Sequence, residues 1–294
     1  MKTGIKKILL VLIGSIAVNS AVLLRAMDWP LDAGTMRNNF GSNDNGSPLL
    51  GTSFETEDTV KAAENGELLY QHKKGDHASR LPSPLGSWLA LDHGDGIISV
   101  YSRLDEEAPM PVTASAGKTA SLGRSGISGW SGSKGFYFFL FDRKERRWIN
   151  PSMIINPLSD TRQPLILSVR LKDSDGKLID PSQTKTISQG RYLISVEATD
   201  TMLEARESPL APFKIVCSVN GIETGALNFE TYSARDGVLM VYRNGLIPVK
   251  QVYAPYPAYE VGEIRFTRGQ ATLEVIAQDI AGNSRNAVFR LQVE

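Results

Sequence analysis

The chain has 294 residues, with 32 Lys+Arg balanced by 32 Asp+Glu, so its formal charge is zero. That balance gives no electrostatic reason to expect nucleic acid or an anionic membrane surface as partner. The length suggests about two domains, and a lone cysteine, Cys217, excludes an internal disulfide.

In chain order, the first element is a targeting segment. Lys2, Lys6 and Lys7 precede an apolar run from Ile8 to Leu24, broken by Gly14, Ser15, Asn19 and Ser20. This pattern predicts a signal peptide over residues 1–26, cut after Ala26, with Ala21 as a second candidate. An uncleaved anchor is the alternative, and the membrane would then be touched only through that segment. No cysteine follows closely, so no lipobox is present.

Short apolar runs punctuated by glycine and proline then predict an all-β chain. In the first half, strands are expected over Glu67–Gln71, Trp88–Asp92, Ile97–Ser102 and Phe136–Phe141, with a Gly/Ser-rich loop over Ser121–Gly135. Residues 150–164 read as a linker or closing segment. In the second half, Leu165–Leu171, Tyr192–Ala198, Phe213–Val219, Leu273–Ala277 and Phe289–Val293 read as strands, most of them with period two. The alternation places Cys217 on a buried strand face, as a small hydrophobe. Turn signals at Asp173–Gly176, Asn220-Gly221, Asp236-Gly237 and Asn244-Gly245 separate the runs. Such spacing predicts an immunoglobulin-like β-sandwich. The turn Asp279-Ile280-Ala281-Gly282-Asn283 resembles one common in bacterial immunoglobulin-like domains. The expected division is 1–26, 27–158 and 159–294.

Five landmarks occur in order in the first half. They are Asp28-Trp29-Pro30-Leu31 with Asn39-Phe40-Gly41, then Thr59-Val60-Lys61-Ala62 with Asn65-Gly66. Leu91-Asp92-His93-Gly94-Asp95-Gly96 follows, with Val100-Tyr101 and Leu104. The last two are the loop from Gly123 to Gly132 and Ile149-Asn150-Pro151. Together they resemble the lysostaphin/LytM-type zinc metallopeptidases, which cut peptide bridges in bacterial cell walls. The resemblance covers roughly residues 28–151 and implies an antiparallel β-sheet domain. It implies zinc held by a His and an Asp of His-x-Gly-x-Asp and by the second His of His-x-His, with an open position for water.

Aligned on those motifs, the ligand positions hold Leu49, Ser53 and Leu140, and the two catalytic positions hold Phe138 and Arg103. Leucine and phenylalanine offer no lone pair to a metal. Only His72, His77 and His93 exist in the chain. His93 matches a family position that is not a ligand and reads as a hydrogen-bonded structural group; His72 and His77 flank a charged hairpin. Gly123-Arg124-Ser125-Gly126 lacks the strand-to-helix context of a nucleophile turn. Asp105, Glu106, Glu107 and Asp142 read as surface charge, and the basic run from Arg143 to Arg147 as a solvated turn.

The resemblance therefore implies a degenerate peptidase domain: no metal, no cofactor, no catalysis. The expected function is binding of peptidoglycan peptide or of an envelope protein such as an amidase, in the periplasm or cell envelope of a bacterium. The expected groove residues are Ser53, Tyr101, Arg103, Trp130, Phe138 and Leu140. The alternatives are an active zinc murein endopeptidase with a non-standard site, and an adhesin or structural envelope protein.

Overall fold

The computed structural model describes residues 27–44, 46–73, 83–107, 114–130, 132–156, 158–201, 210–254 and 258–294. The predicted signal segment and His77 lie outside them. Among the described residues the chain is all-β, with two single 3-10 turns at Pro151–Met153 and Val249–Gln251.

The first half is built around the strand Phe136–Asp142. One of its edges pairs along six residues with Ile97–Leu104, from Tyr137↔Ser102 to Asp142↔Ile97. That strand pairs in turn with Ser87–Asp92, and Ser87–Asp92 with Gly66–His72. The other edge is shared. Phe136–Phe138 takes Thr52–Phe54, while Leu140–Asp142 takes Arg147–Ile149. Side chains alternate across the pleat. Phe136, Phe138 and Leu140 therefore point into one core with Leu89, Leu91, Tyr101, Phe54 and Leu122.

The second half has two layers. Leu165–Lys172, Gly190–Thr199 and Ala258–Phe266 form most of one sheet. Lys214–Val219, Ile222–Arg235, Gly269–Gln278 and Ser284–Val293 belong to the other. Val169, Leu171, Tyr192, Ile194, Val196 and Ala198 face Ile215, Cys217, Leu227, Leu273, Val275 and Ala277 between them. Cys217 is fully buried, as its alternation predicts, and burial pushes its thiol up to about 12.

The halves are not beads on a linker. Arg147–Ile149 pairs with Thr231–Ser233 of the long strand Ile222–Arg235, so one sheet runs from the first half into the second. Residues 150–164 begin as a closing segment: the Asn150 amide donates to Glu230 O at 2.9 Å and its Nδ2 to Phe229 O at 2.9 Å. The Phe40-Gly41 pair sits in the second half's core. Phe40 packs 4.9 Å from Tyr232, and Tyr253 Oη donates to Gly41 O at 2.7 Å. Gly41 has φ +86, and a Cβ there would lie 2.6 Å from the Phe229 ring. Only glycine suits both the backbone and the contact. Asn39 completes the seam by exchanging two hydrogen bonds of 2.8 Å with the Ala211 backbone.

One expectation changes. The stretch Ser121–Gly135 is not all loop, because Ser121–Arg124 is a strand paired with Thr59–Lys61. Leu122, an apolar residue among Gly and Ser, anchors it at 1% exposure.

Candidate functional site

The sheet of the first half has two faces, and they separate the expected groove residues. Phe138, Leu140 and Tyr101 point into the core and are fully buried. Tyr101 Oη accepts the Ala63 amide at 2.9 Å, and burial pushes its phenol up to about 12. These three side chains support the sheet from behind and do not line a groove, which corrects the expectation for Tyr101, Phe138 and Leu140. The face opposite carries Ser53, Tyr137 and Phe139. Ser53 pairs directly with Tyr137 across the Thr52–Glu55 edge.

The strand Phe136–Asp142 concealed this. Every residue from Phe136 to Phe141 is apolar or aromatic, so period two could not say which parity faces the core. The informative signals were elsewhere. Phe54 sits opposite Phe136, with rings stacked at 6.4 Å, which fixes the parity from the core side.

Arg103 reaches the Tyr137 face by breaking the alternation. Its φ is +61, a conformation that costs a non-glycine residue about 1–3 kcal/mol. Backbone bonds hold it there: its amide donates to Leu85 O at 2.9 Å, and its carbonyl accepts from Gly126 at 2.8 Å. The guanidinium carbon lies 5.4 Å from the centre of the Tyr137 ring. Burial lowers the guanidinium's proton affinity; Tyr137 and Asp44 raise it and Arg37 lowers it further. No described carboxylate forms an ion pair with Arg103. Tyr137 is buried beneath, its phenol pushed up by desolvation and eased down by Arg103 and a hydrogen bond to the Leu50 backbone.

The segment carrying Leu49 and Ser53 presses on this face. A Cβ at Gly51 would lie 2.3 Å from Phe138 O and 2.7 Å from Phe139 Cβ, so glycine alone permits the approach. Leu49 is half-buried and its backbone pairs with Gly41 and Ser42. Ser53 accepts Asn38 Nδ2 at 3.3 Å.

Beyond Tyr137, a row of apolar side chains crosses four strands in register: Phe139↔Val100, Val100↔Ala90 and Ala90↔Tyr70. Tyr70 is 42% exposed and its ring lies 5.0 Å from Trp88. Trp130, on the Gly-rich loop, is 77% exposed. That loop is tied to the sheet by Ser128 Oγ, which donates to Leu104 O at 2.6 Å and accepts the Ser87 amide at 3.0 Å.

The donor set does not fit zinc. Leu49 and Leu140 carry no lone pair, nor does Phe139, the residue beside Leu140 on the Tyr137 face; Ser53, itself buried, offers one neutral hydroxyl. His93 is a structural group, with Nδ1 2.8 Å from Asn65 O and Nε2 2.6 Å from Ser99 Oγ, and burial lowers its pKa. His72 stacks on Trp88 at 6.4 Å. Ser125 Oγ donates to Thr56 O at 2.9 Å and acts as a backbone tie. Asp105, Glu106 and Glu107 line an open cavity of about 710 Å³ with Glu57, Arg124 and Lys134, a mixed-charge surface. In the basic run, Arg143 pairs with Asp92 at 3.3 Å and Arg147 with Asp142 at 3.5 Å.

One family model matches residues 163–294, and no curated protein matches the chain. Among solved structures, the chain is similar to the catalytic domain of the prophage-encoded M23 protein EnpA from Enterococcus faecalis. Identity is 13% over 43% of this chain and 95% of that one, with TM-score 0.35. It is similar to a zinc-containing peptidase from Vibrio cholerae at 18% identity, covering 43% of this chain and spanning 39% of that one, with TM-score 0.36. A chain of the SpoIIQ–SpoIIIAH pore-forming complex is similar at 17% identity over 44% of this chain and 90% of that one, with TM-score 0.35. In solved structures, then, the resemblance is to M23 and LytM-type peptidase chains.

Proposed function

We propose that this is an exported, non-catalytic, peptidase-like protein of a bacterial cell envelope. Its Tyr137–Arg103 face binds a cell-wall peptide or an envelope protein partner, and in its most specific form it regulates a wall hydrolase such as an amidase. The observation that carries the reading is Arg103. A half-desolvated guanidinium, held in a strained conformer over an aromatic ring and in an ion pair with no described carboxylate, is set up to receive one from a ligand. Peptides of the cell wall carry free carboxylates, and on the same face of the sheet half-buried Phe139 and exposed Tyr70 offer aromatic surface. The residue types at the five family positions support the non-catalytic part, since none supplies an imidazole or a carboxylate. Export rests on the predicted signal segment. No helix among the described residues is long and apolar enough to cross a membrane.

The test is co-sedimentation of residues 27–294 with purified peptidoglycan sacculi, beside Arg103→Ala. Pelleting that drops about tenfold or more in the variant supports the reading, because losing a bidentate charge pair costs a few kcal/mol. Pelleting unchanged by Arg103→Ala moves the wall site off this face. A protein that stays in solution turns the search to a protein partner captured through Arg103.

A further inference from the structure

Three aspartates from distant parts of the chain meet beside the seam between the halves. Asp160 lies in the connection after the closing segment, Asp200 directly follows the strand Gly190–Thr199, and Asp279 opens the turn between Gly269–Gln278 and Ser284–Val293. Each places a carboxylate oxygen within 4.8 Å of the others. Asp279 is 1% and Asp200 5% exposed.

Their hydrogen bonds leave a defined gap. Asp279 uses both oxygens on Asn283, taking its amide and its Nδ2 at 2.8 Å each. That Nδ2 also reaches Asp160 O at 3.3 Å, tying the connection to the turn. Asp160 Oδ1 accepts the Arg162 amide at 2.9 Å. Asp200 Oδ1 accepts the Thr201 amide at 2.9 Å, and its other oxygen receives no hydrogen bond from a described residue. Asp200 and Asp160 both line a small cavity of about 30 Å³, about the volume share of a single water molecule. No described lysine or arginine forms an ion pair with any of the three.

Three carboxylates this close, two of them buried and none in an ion pair with a described lysine or arginine, gather negative charge that a bound cation would neutralise. Oxygen donors alone select a hard cation, and donors gathered from three irregular segments suit the variable geometry of calcium better than the strict octahedron of magnesium. We propose that Asp160, Asp200 and Asp279 form a calcium site that fastens the connection between the halves to the second half. Asp200, which lines the cavity, supplies the oxygen that no described residue bonds. Asp279, oriented by Asn283, forms the buried wall, and Asp160 closes the site from the connection.

The experiment is thermal unfolding and titration calorimetry of residues 27–294 after chelator treatment, with Ca²⁺ or Mg²⁺ added back, beside Asp200→Asn. Calcium at a hundred times its dissociation constant is expected to raise Tm by about 5 °C or more. The calorimeter should register one site. Asp200→Asn should lose both responses, while its chelated Tm equals or exceeds that of the chelated parent because repulsion is relieved. That second reading separates a lost site from a failed fold. No heat and no Tm change at millimolar Ca²⁺ overturns the proposal, as does an Asp200→Asn variant that responds like the parent. A response to Mg²⁺ alone overturns the choice of calcium.

Discussion

Phe40→Ala tests whether the two halves fold as one. Phe40 belongs to the first half by sequence and to the second half by packing, at 1% exposure in the core with Tyr232 and Phe229. Truncating a buried phenylalanine costs about 3–5 kcal/mol, a large part of the roughly 5–15 kcal/mol that holds a domain folded. With a urea dependence near 3 kcal/mol/M, about 4 kcal/mol moves the midpoint by roughly 1.3 M. The chain provides its own reporter: its four tryptophans, Trp29, Trp88, Trp130 and Trp148, all precede residue 159. Fluorescence therefore follows the first half, and far-UV circular dichroism follows both. Through the pairing of Trp148 with Tyr232, the two signals should shift together by the full amount. A fluorescence midpoint that stays put while the dichroism midpoint falls would refute the coupling. A total loss below about 1 kcal/mol would refute the packing argument.

Tyr101→Phe should cost about 1–3 kcal/mol in urea unfolding, because it leaves the buried Ala63 amide without an acceptor. The same variant should pellet with sacculi as the parent does, since its ring faces the core; lost pelleting in a folded variant would put Tyr101 in the site after all. His93 has a folded-state pKa below 6.5, lowered by burial. Below pH 6.5 the unfolded chain takes up a proton that the folded one resists, so this contribution to stability is present at neutral pH and is lost as pH falls. The stability gap between the parent and His93→Asn should accordingly narrow from pH 7 to pH 5. A gap that holds or widens would contradict the neutral, buried imidazole.

The strands were readable wherever one face is polar. Tyr192, Ile194, Val196 and Ala198 alternate with exposed or half-buried neighbours, and the structure buries all four. Phe136–Phe141 was readable as a strand but not as a pair of faces, and from that one ambiguity came the misplacement of Phe138 and Leu140. Arg103 defeated alternation through a single left-handed residue, which no periodicity contains. The seam was hidden for another reason. Arg147–Ile149 is three residues long and includes Arg and Trp, so nothing local marks it as a partner of Thr231–Ser233 some 80 residues later. Asp160, Asp200 and Asp279 form no motif in one dimension; only the turn at Asp279–Asn283 stood out.

The shared sheet bears on how such a protein can be cut or recombined. Severing the chain near residue 158 would strip Arg147–Ile149 from the Ile222–Arg235 strand and leave Thr231–Ser233 as a bare edge. It would also uncover Phe229, where Phe40 and Gly41 now rest. An open edge beside exposed aromatics invites aggregation. Neither half is a transplantable cassette. A gene fusion that borrowed the second half would have to bring a substitute for Phe40-Gly41 and for the three-residue strand.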